Sequence, residues 1–156
     1  MAAGRKIYLA SSWRNKLHTE VLGALREAGH DVFDFKSKEP LEWGGLSPPT
    51  DHRSLIDVML TVEVQDFFLS DLDAMRSADT GVLLLPAGRD AHQEIGWLAG
   101  SGRQTFVMTA GERYEHGFMY LLHNGIVSTT YDLVAMLRTY PRGMQIASNG
   151  EAMWKL

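Results

Sequence analysis

Glu94 stands in RDAHQEIGWLAG (89–100), a charged group in an otherwise small and apolar helix set between two very hydrophobic strands. Asp90 suits the N-cap of that helix, and Gln93 three residues on makes a capping-box-like pair, which puts Glu94 in the first turn. There the helix dipole and the free backbone amides favour the ionised form and lower the pKa, so a carboxylate at neutral pH is expected. An ionised, held carboxylate is a competent nucleophile toward a sugar carbon with oxocarbenium character. Acidic residues also sit at helix N-termini merely to offset the dipole; the position after the central strand favours function.

A second acidic group lies upstream in SDLDAMRSAD (70–79), which carries Asp71, Asp73 and Asp79 just before the central strand. Acids along a helix usually mark a solvated face. An inward-facing Asp71 would orient a sugar hydroxyl or pass a proton to a leaving base, the second carboxyl that glycosyl transfer needs. Other chemistry has less support. The chain has no GxxxxGK[ST] phosphate loop and no GxGxxG, and the HxE of His92–Glu94 lacks the cysteines of a zinc deaminase. Glu112 and His116, one helical turn apart, read as a surface pair before a metal site, so no metal or cofactor is expected.

Composition bounds the rest. The 156 residues, 45% hydrophobic and 22% charged, suit one soluble domain. A net charge of -4 gives no basic field for a polymeric nucleic acid, although a small anion still finds local sites. Cysteine is absent, so disulfides and cysteine-held zinc are excluded. No secretory signal and no run of about 18 apolar residues is visible, and a cytoplasmic protein without membrane contact is expected.

The elements that must position the two carboxyls follow from periodicity. KIYLA (6–10) reads as a buried strand, 17–28 as a helix stopped by Gly29, and DVFDF (31–35) as the next strand. From Lys36 to Arg53 the chain turns irregular around Trp43, a long loop. Residues 54–77 read as one long helix or two short ones, with Ile56, Met59, Leu60, Phe67, Phe68, Leu72 and Met75 buried. TGVLLLPAG (80–88) has the unbroken apolar character of a central parallel strand. The Glu94 helix follows, then strand 104–110, a helical stretch 112–123, a fifth strand 125–129, a closing helix 130–138 and a docking tail, 141–156. This alternation predicts a single α/β domain over 1–156, a flavodoxin-like or Rossmann-like sandwich. Its five-stranded parallel sheet takes the order 2-1-3-4-5, with helices on both faces. Ligands of such sheets bind beyond the carboxyl ends of the strands, which gathers Ser11, Ser12, the loop after Phe35 and residues 86–94 around one crevice. Gly96, Ala99, Gly100 and Gly102 would let the Glu94 helix lie close to the sheet or to a partner.

KIYLASSWRN and DLDAMRSADTGVLLLPAGRDAHQEIGWLAGSGRQTFVM, in that order, resemble the nucleoside 2-deoxyribosyltransferase superfamily, which includes the deoxynucleoside 5'-monophosphate N-glycosidases. The likeness covers most of residues 5–130. It implies a nucleoside 2-deoxyribosyltransferase-like domain, a homodimer with shared active sites, and cleavage of the base–sugar bond through a glycosyl-enzyme ester. On this likeness Glu94 matches the nucleophile, Asp71 the acid before the central strand, and Tyr8 the tyrosine that positions the nucleophile. Arg14 falls where the monophosphate hydrolases keep a phosphate-binding arginine. Two positions depart from the pattern. Gly88 replaces an acid or serine, so that Asp90, Arg89 or backbone amides must serve there. Met119, beside Tyr120 where a neighbouring subunit contributes, lacks the family's hydrogen-bonding group.

The expectation is therefore an enzyme that cleaves or exchanges the N-glycosidic bond of a (deoxy)nucleoside or its 5'-monophosphate, with Ser11 at the crevice. Trp43 or Phe35 stacks on the base, or Trp43 plugs the core beneath its loop. A non-catalytic nucleotide-binding module of the same fold, or a relative that cleaves NAD, remain the competing readings.

Overall fold

The computed structural model describes residues 4–38, 51–109 and 117–140. Trp43, Glu112, His116 and the tail 141–156 lie outside the described residues, as does most of the long loop.

Five strands, β1 (Lys6–Ala10), β2 (Asp31–Phe33), β3 (Thr80–Leu84), β4 (Gln104–Met108) and β5 (Gly125–Val127), form one parallel sheet in the order β2-β1-β3-β4-β5. The expected topology is the observed one. Parallel neighbours need crossovers, and α1 (His18–Glu27), α2 (His52–Met59) with α3 (Val62–Ser77), α4 (Arg89–Gly100) and α5 (Thr130–Thr139) supply helices between or after them. None of the described helices is long and apolar enough to cross a membrane.

Alternation along β1 divides the core in two. Ile7 and Leu9 pack with Val21, Leu22 and Leu25 of α1 and Leu133 and Leu137 of α5, while Tyr8 and Ala10 pack with Met75 of α3 and Ala91, Ile95 and Leu98 of α4. Every residue of β3 is buried, as a strand covered on both faces requires. Gly81 in β3 is where α4 comes closest: a Cβ built there would lie 2.7 Å from Ile95 Cδ1 and 2.8 Å from Leu98 Cδ1. The close approach thus belongs to the strand. A Cβ at Gly96 or Gly100 of α4 would meet nothing within 4 Å among the described residues, so these glycines are not what brings that helix to the sheet.

Gly29 stops its helix as the sequence suggests, and Gly102 does the same after α4 rather than bringing that helix close to the sheet. Gly29 and Gly102, after α1 and α4, have φ of +90° and +77°, a region that favours glycine. On the outer edge of the sheet the Arg26 side chain donates to the Val32 carbonyl at 3.0 Å. At the opposite, amino-terminal end, the buried Arg5 guanidinium donates to Thr80 Oγ1 and to the Leu137 and Tyr140 carbonyls, tying β1 and β3 to α5.

Several local expectations change. The segment 54–77 is two helices, the first opened by a capping box in which Asp51 accepts from the Ser54 amide and Ser54 Oγ accepts from the Asp51 amide. Of its expected buried set only Met75 is buried. Ile56, Met59, Leu60 and Phe68 are exposed, and Phe67 and Leu72 are half-buried, because α2 and the outer side of α3 have no described element over them. Strand β3 stops at Leu84, ahead of the cis Leu85–Pro86 peptide, rather than running to 88. Within 112–123 the described part is a 3-10 turn, Phe118–Leu122.

Candidate active site

The carboxyl ends of β1, β2 and β3 are joined by side chains of the loops that leave them. Asn15, after β1, donates through Nδ2 to the Leu84 and Pro86 carbonyls at the end of β3, at 3.3 and 3.1 Å. Its own carbonyl accepts from Lys36 Nζ at 3.0 Å, which brings in the turn after β2. His18 completes this framework. Its Nε2 lies 2.9 Å from Asp34 Oδ1 and its Nδ1 lies 2.8 Å from Ser11 Oγ. Burial pushes the His18 pKa down, with Lys36 and Arg26 nearby acting the same way against the favourable Asp34. The ring is therefore neutral, its contact with Asp34 is a hydrogen bond rather than an ion pair, and the tautomer follows. Nε2–H donates to the carboxylate, and Nδ1 accepts the Ser11 hydroxyl proton. Ser11, expected at the crevice, thus spends its O–H on α1.

On the other face of the sheet lies the acidic cluster. The Tyr8 hydroxyl donates to the Glu94 carboxyl, and Asp71 and Asp90 are close enough for their charges to act on both. Four of the residues singled out by sequence, Tyr8, Asp71, Asp90 and Glu94, come together here from β1, α3 and α4. Burial pushes the Glu94 pKa up to about 7, helped by Asp71 and Asp90, with the Tyr8 hydrogen bond working in the opposite direction. Burial also raises Asp71, partly offset by the Lys38 ammonium, and raises Tyr8 far above its usual range.

This corrects the expected electrostatics of Glu94. The N-cap of α4 is Gly88, with Asp90 an exposed first-turn residue, so Glu94 is the sixth residue of the helix and lies in its second turn. No side chain caps the helix, and the Asp90–Gln93 box is not formed. The dipole acts strongly within the first turn only, and beyond it the cost of burying a charge beside other carboxyls prevails.

The remaining expected residues occupy mixed positions. Gly88 supplies backbone: its carbonyl accepts from His92 Nδ1 at 2.8 Å. His92 Nε2 lies 3.2 Å from the Tyr120 hydroxyl, so Tyr120 reaches α4 of its own chain. Arg14 and Met119 are exposed, and Phe35 is flanked edge-on by Trp13 at 5.0 Å and His18 at 4.9 Å. Among the described residues no group of three His, Asp or Glu side chains is arranged to hold a metal ion.

Sequence reading misses Lys38, Phe33 and Asn15. Phe33 stacks on Tyr8, with centroids 5.5 Å apart and planes 12° from parallel. Lys38 Nζ stands 5.9 Å from the Phe33 ring centre and 5.6 Å from that of Phe67, and donates to Ser70 Oγ. No periodicity marks a lysine in a turn, and its relation to α3 arises only when β2 and α3 fold side by side.

No protein-family model matches the chain, and no curated protein matches it by sequence. Among solved structures it is similar to a 2-deoxyribosyltransferase from Bacillus psychrosaccharolyticus, with a TM-score of 0.60 and 18% identity over 86% of this chain and 91% of that one. It is also matched to the CMP N-glycosidase BcmB of Clostridium botulinum, at a TM-score of 0.47 and 17% identity over 85% of this chain and 97% of that one. Sheet order, crossovers and the first of these likenesses together make the fold of this chain the Rossmann-like fold of that 2-deoxyribosyltransferase.

Proposed function

We propose that the protein cleaves or exchanges the N-glycosidic bond of a (deoxy)nucleoside or its 5'-monophosphate, with Glu94 as nucleophile and Asp71 as proton donor. The observation that carries this reading is the cluster itself: half-buried Asp71 on α3 acts by its charge on half-buried Glu94 on α4, which a buried tyrosine hydroxyl also holds. A solvated acidic face has no reason to keep such groups out of water. The likeness in fold to a 2-deoxyribosyltransferase supports the same reading.

The chemistry requires one proton on the pair. With the proton on Asp71 and the charge on Glu94, a Glu94 oxygen attacks C1' as the bond to the base breaks, and the base leaves with the Asp71 proton. A glycosyl ester on Glu94 results. Water resolves it to the free sugar, or a second base resolves it to an exchanged nucleoside, and Asp71 receives a proton in either case. Tyr8 donates to the carboxylate and fixes its orientation, since the attacking oxygen must lie in line with the bond being broken. Arg14, exposed on the loop after β1, is the candidate contact for a 5'-phosphate.

Two copies of the chain complete the site in this reading. Leu60, Val62 and Phe68 are 68%, 71% and 55% exposed, and exposed apolar side chains of this kind suit contact with a second copy. Sedimentation at micromolar concentration tests this, and a strict monomer overturns it.

The test of the chemistry is mass spectrometry of the purified protein with ribo- and deoxyribonucleosides and their 5'-monophosphates, with and without an acceptor base. Base release that disappears in Glu94→Ala is expected. Release at the wild-type rate in that variant overturns the mechanism, and silence across the panel in a folded protein favours a nucleotide-binding role instead.

A further inference from the structure

The Asp71–Glu94 pair has a cation beside it that the chemistry above does not use. Lys38 leaves the turn after β2 and runs across the faces of Phe33 and Phe67 to Ser70, the residue before Asp71. Its hydrogen-bond partner is a neutral hydroxyl. Among the described residues it forms no direct ion pair with a carboxylate. Its charge nonetheless acts on Asp71. The aromatic contacts hold the ammonium in place, because a cation is attracted to ring faces and the lysine stem packs on them. Phe33 is in turn stacked on Tyr8, whose hydroxyl holds Glu94, so one continuous set of contacts runs from the cation to the nucleophile.

We propose that Lys38 is the positioning residue that decides where the single proton of the Asp71–Glu94 pair rests. By keeping an ammonium beside Asp71 it leaves the proton on Glu94 in the empty site and so holds the nucleophile in reserve. The inference rests on the reading of Glu94 as nucleophile and Asp71 as acid. The other titratable groups turned toward the pair are Tyr8 from β1 and Asp90 from α4. Asp90 favours protonation of Glu94 by its charge, neutral Tyr8 favours the ionised form through its hydrogen bond, and Lys38 is the one described cation acting on the pair. Two carboxyls that share a proton titrate as a pair, and a charge nearer to one of them changes the ratio of the two singly protonated forms. The productive form, with the proton on Asp71, is the one that Lys38 disfavours.

The test is a carbon-13 NMR titration of the Asp and Glu side-chain carboxyls in the full chain, as wild type, Lys38→Met and Lys38→Arg. Asp71→Asn and Glu94→Gln assign the two signals. Lys38→Met keeps an apolar stem against Phe33 and Phe67 and removes the charge. It is expected to raise the Asp71 midpoint by about one pH unit, narrowing its separation from Glu94, whereas Lys38→Arg leaves both where they are in the wild type. Kinetics on an active substrate give the matching readout: in Lys38→Met the acid limb of the kcat profile moves to higher pH and plateau kcat rises, by about tenfold for each unit gained by Asp71. An unmoved Asp71 midpoint in Lys38→Met, or an equal shift in Lys38→Arg, overturns the proposal. The titration needs no turnover. A wild-type protein that releases no base therefore defeats the glycosyl reading while the NMR result still decides what Lys38 does to the pair.

Discussion

The hydroxyl of Tyr8, on a buried strand, donates a hydrogen bond to the carboxyl of Glu94 on the helix that follows the central strand. The bond favours the ionised carboxylate against the burial that disfavours it. Tyr8→Phe removes that support and leaves the ring packing in place. The Glu94 pKa then rises further, the proton stays on Glu94, and in the proposed reaction base release is expected to fall about tenfold or more as the basic limb of the profile moves up. The pH dependence of kcat/KM measures both changes. An unchanged limb with unchanged rate shows that the tyrosine has no such part.

Glu94 also lowers the stability of the fold at neutral pH. Its folded pKa of about 7 lies above the ordinary value of 4.5, so between those pH values the native state binds a proton that the unfolded chain has lost. Stability from this group is complete below pH 4.5 and is lost as pH rises through 7. Glu94→Gln is expected to be more stable than wild type at pH 8, by up to roughly 3 kcal/mol, and to lose that advantage near pH 4.5. Urea denaturation at the two pH values checks it.

His123 acts in the opposite sense. Burial, with His92 nearby, pushes its pKa down to about 4, and its Nδ1 lies 2.9 Å from Thr105 Oγ1. The unfolded chain takes up a proton near pH 6.5 that the native state refuses until about pH 4, so stability is present above 6.5 and lost on acidification through 4. His123→Gln should flatten this acid loss relative to wild type over the same window. Parallel stability curves for the two proteins would remove the residue from the account.

Gly81 and Gly96 make opposite tests of the α4 contact. Gly81→Ala drives a methyl into Ile95 and Leu98, both essentially fully buried, and is expected to cost about 1–3 kcal/mol. Gly96→Ala meets nothing within 4 Å among the described residues and is expected to stabilise the isolated protein by about 0.5–1 kcal/mol. A dimer that weakens in Gly96→Ala while the monomer gains would locate the partner on that face.

The features legible in the sequence are those set by periodicity. Unbroken apolar β3, the spacing of Val21, Leu22 and Leu25, and Gly29 at φ of +90° determine sheet, crossover and stop before any contact is known. The membership of Tyr8, Asp71 and Glu94 in one cluster was legible from their resemblance to a known pattern and from the rule that sites gather at strand ends. The sign of the Glu94 shift was not, because a local dipole argument omits the burial that α3 and β1 impose from far along the chain. Lys38 and Asn15 were hidden for the same reason: each acts across a junction between strands distant in sequence. The exposed apolar side chains of α2 and α3 show the converse, since periodicity marks a face to be covered without saying what covers it.

The three-residue strand β2 forms one margin of the sheet, where an uncovered backbone invites another chain to add a strand. Arg26, by donating to the outward Val32 carbonyl, occupies the central acceptor of that margin and sets a positive charge in the path of an incoming strand. The arginine thereby works as a guard against aggregation. An added strand would have to displace this contact and meet the guanidinium before it could pair with β2.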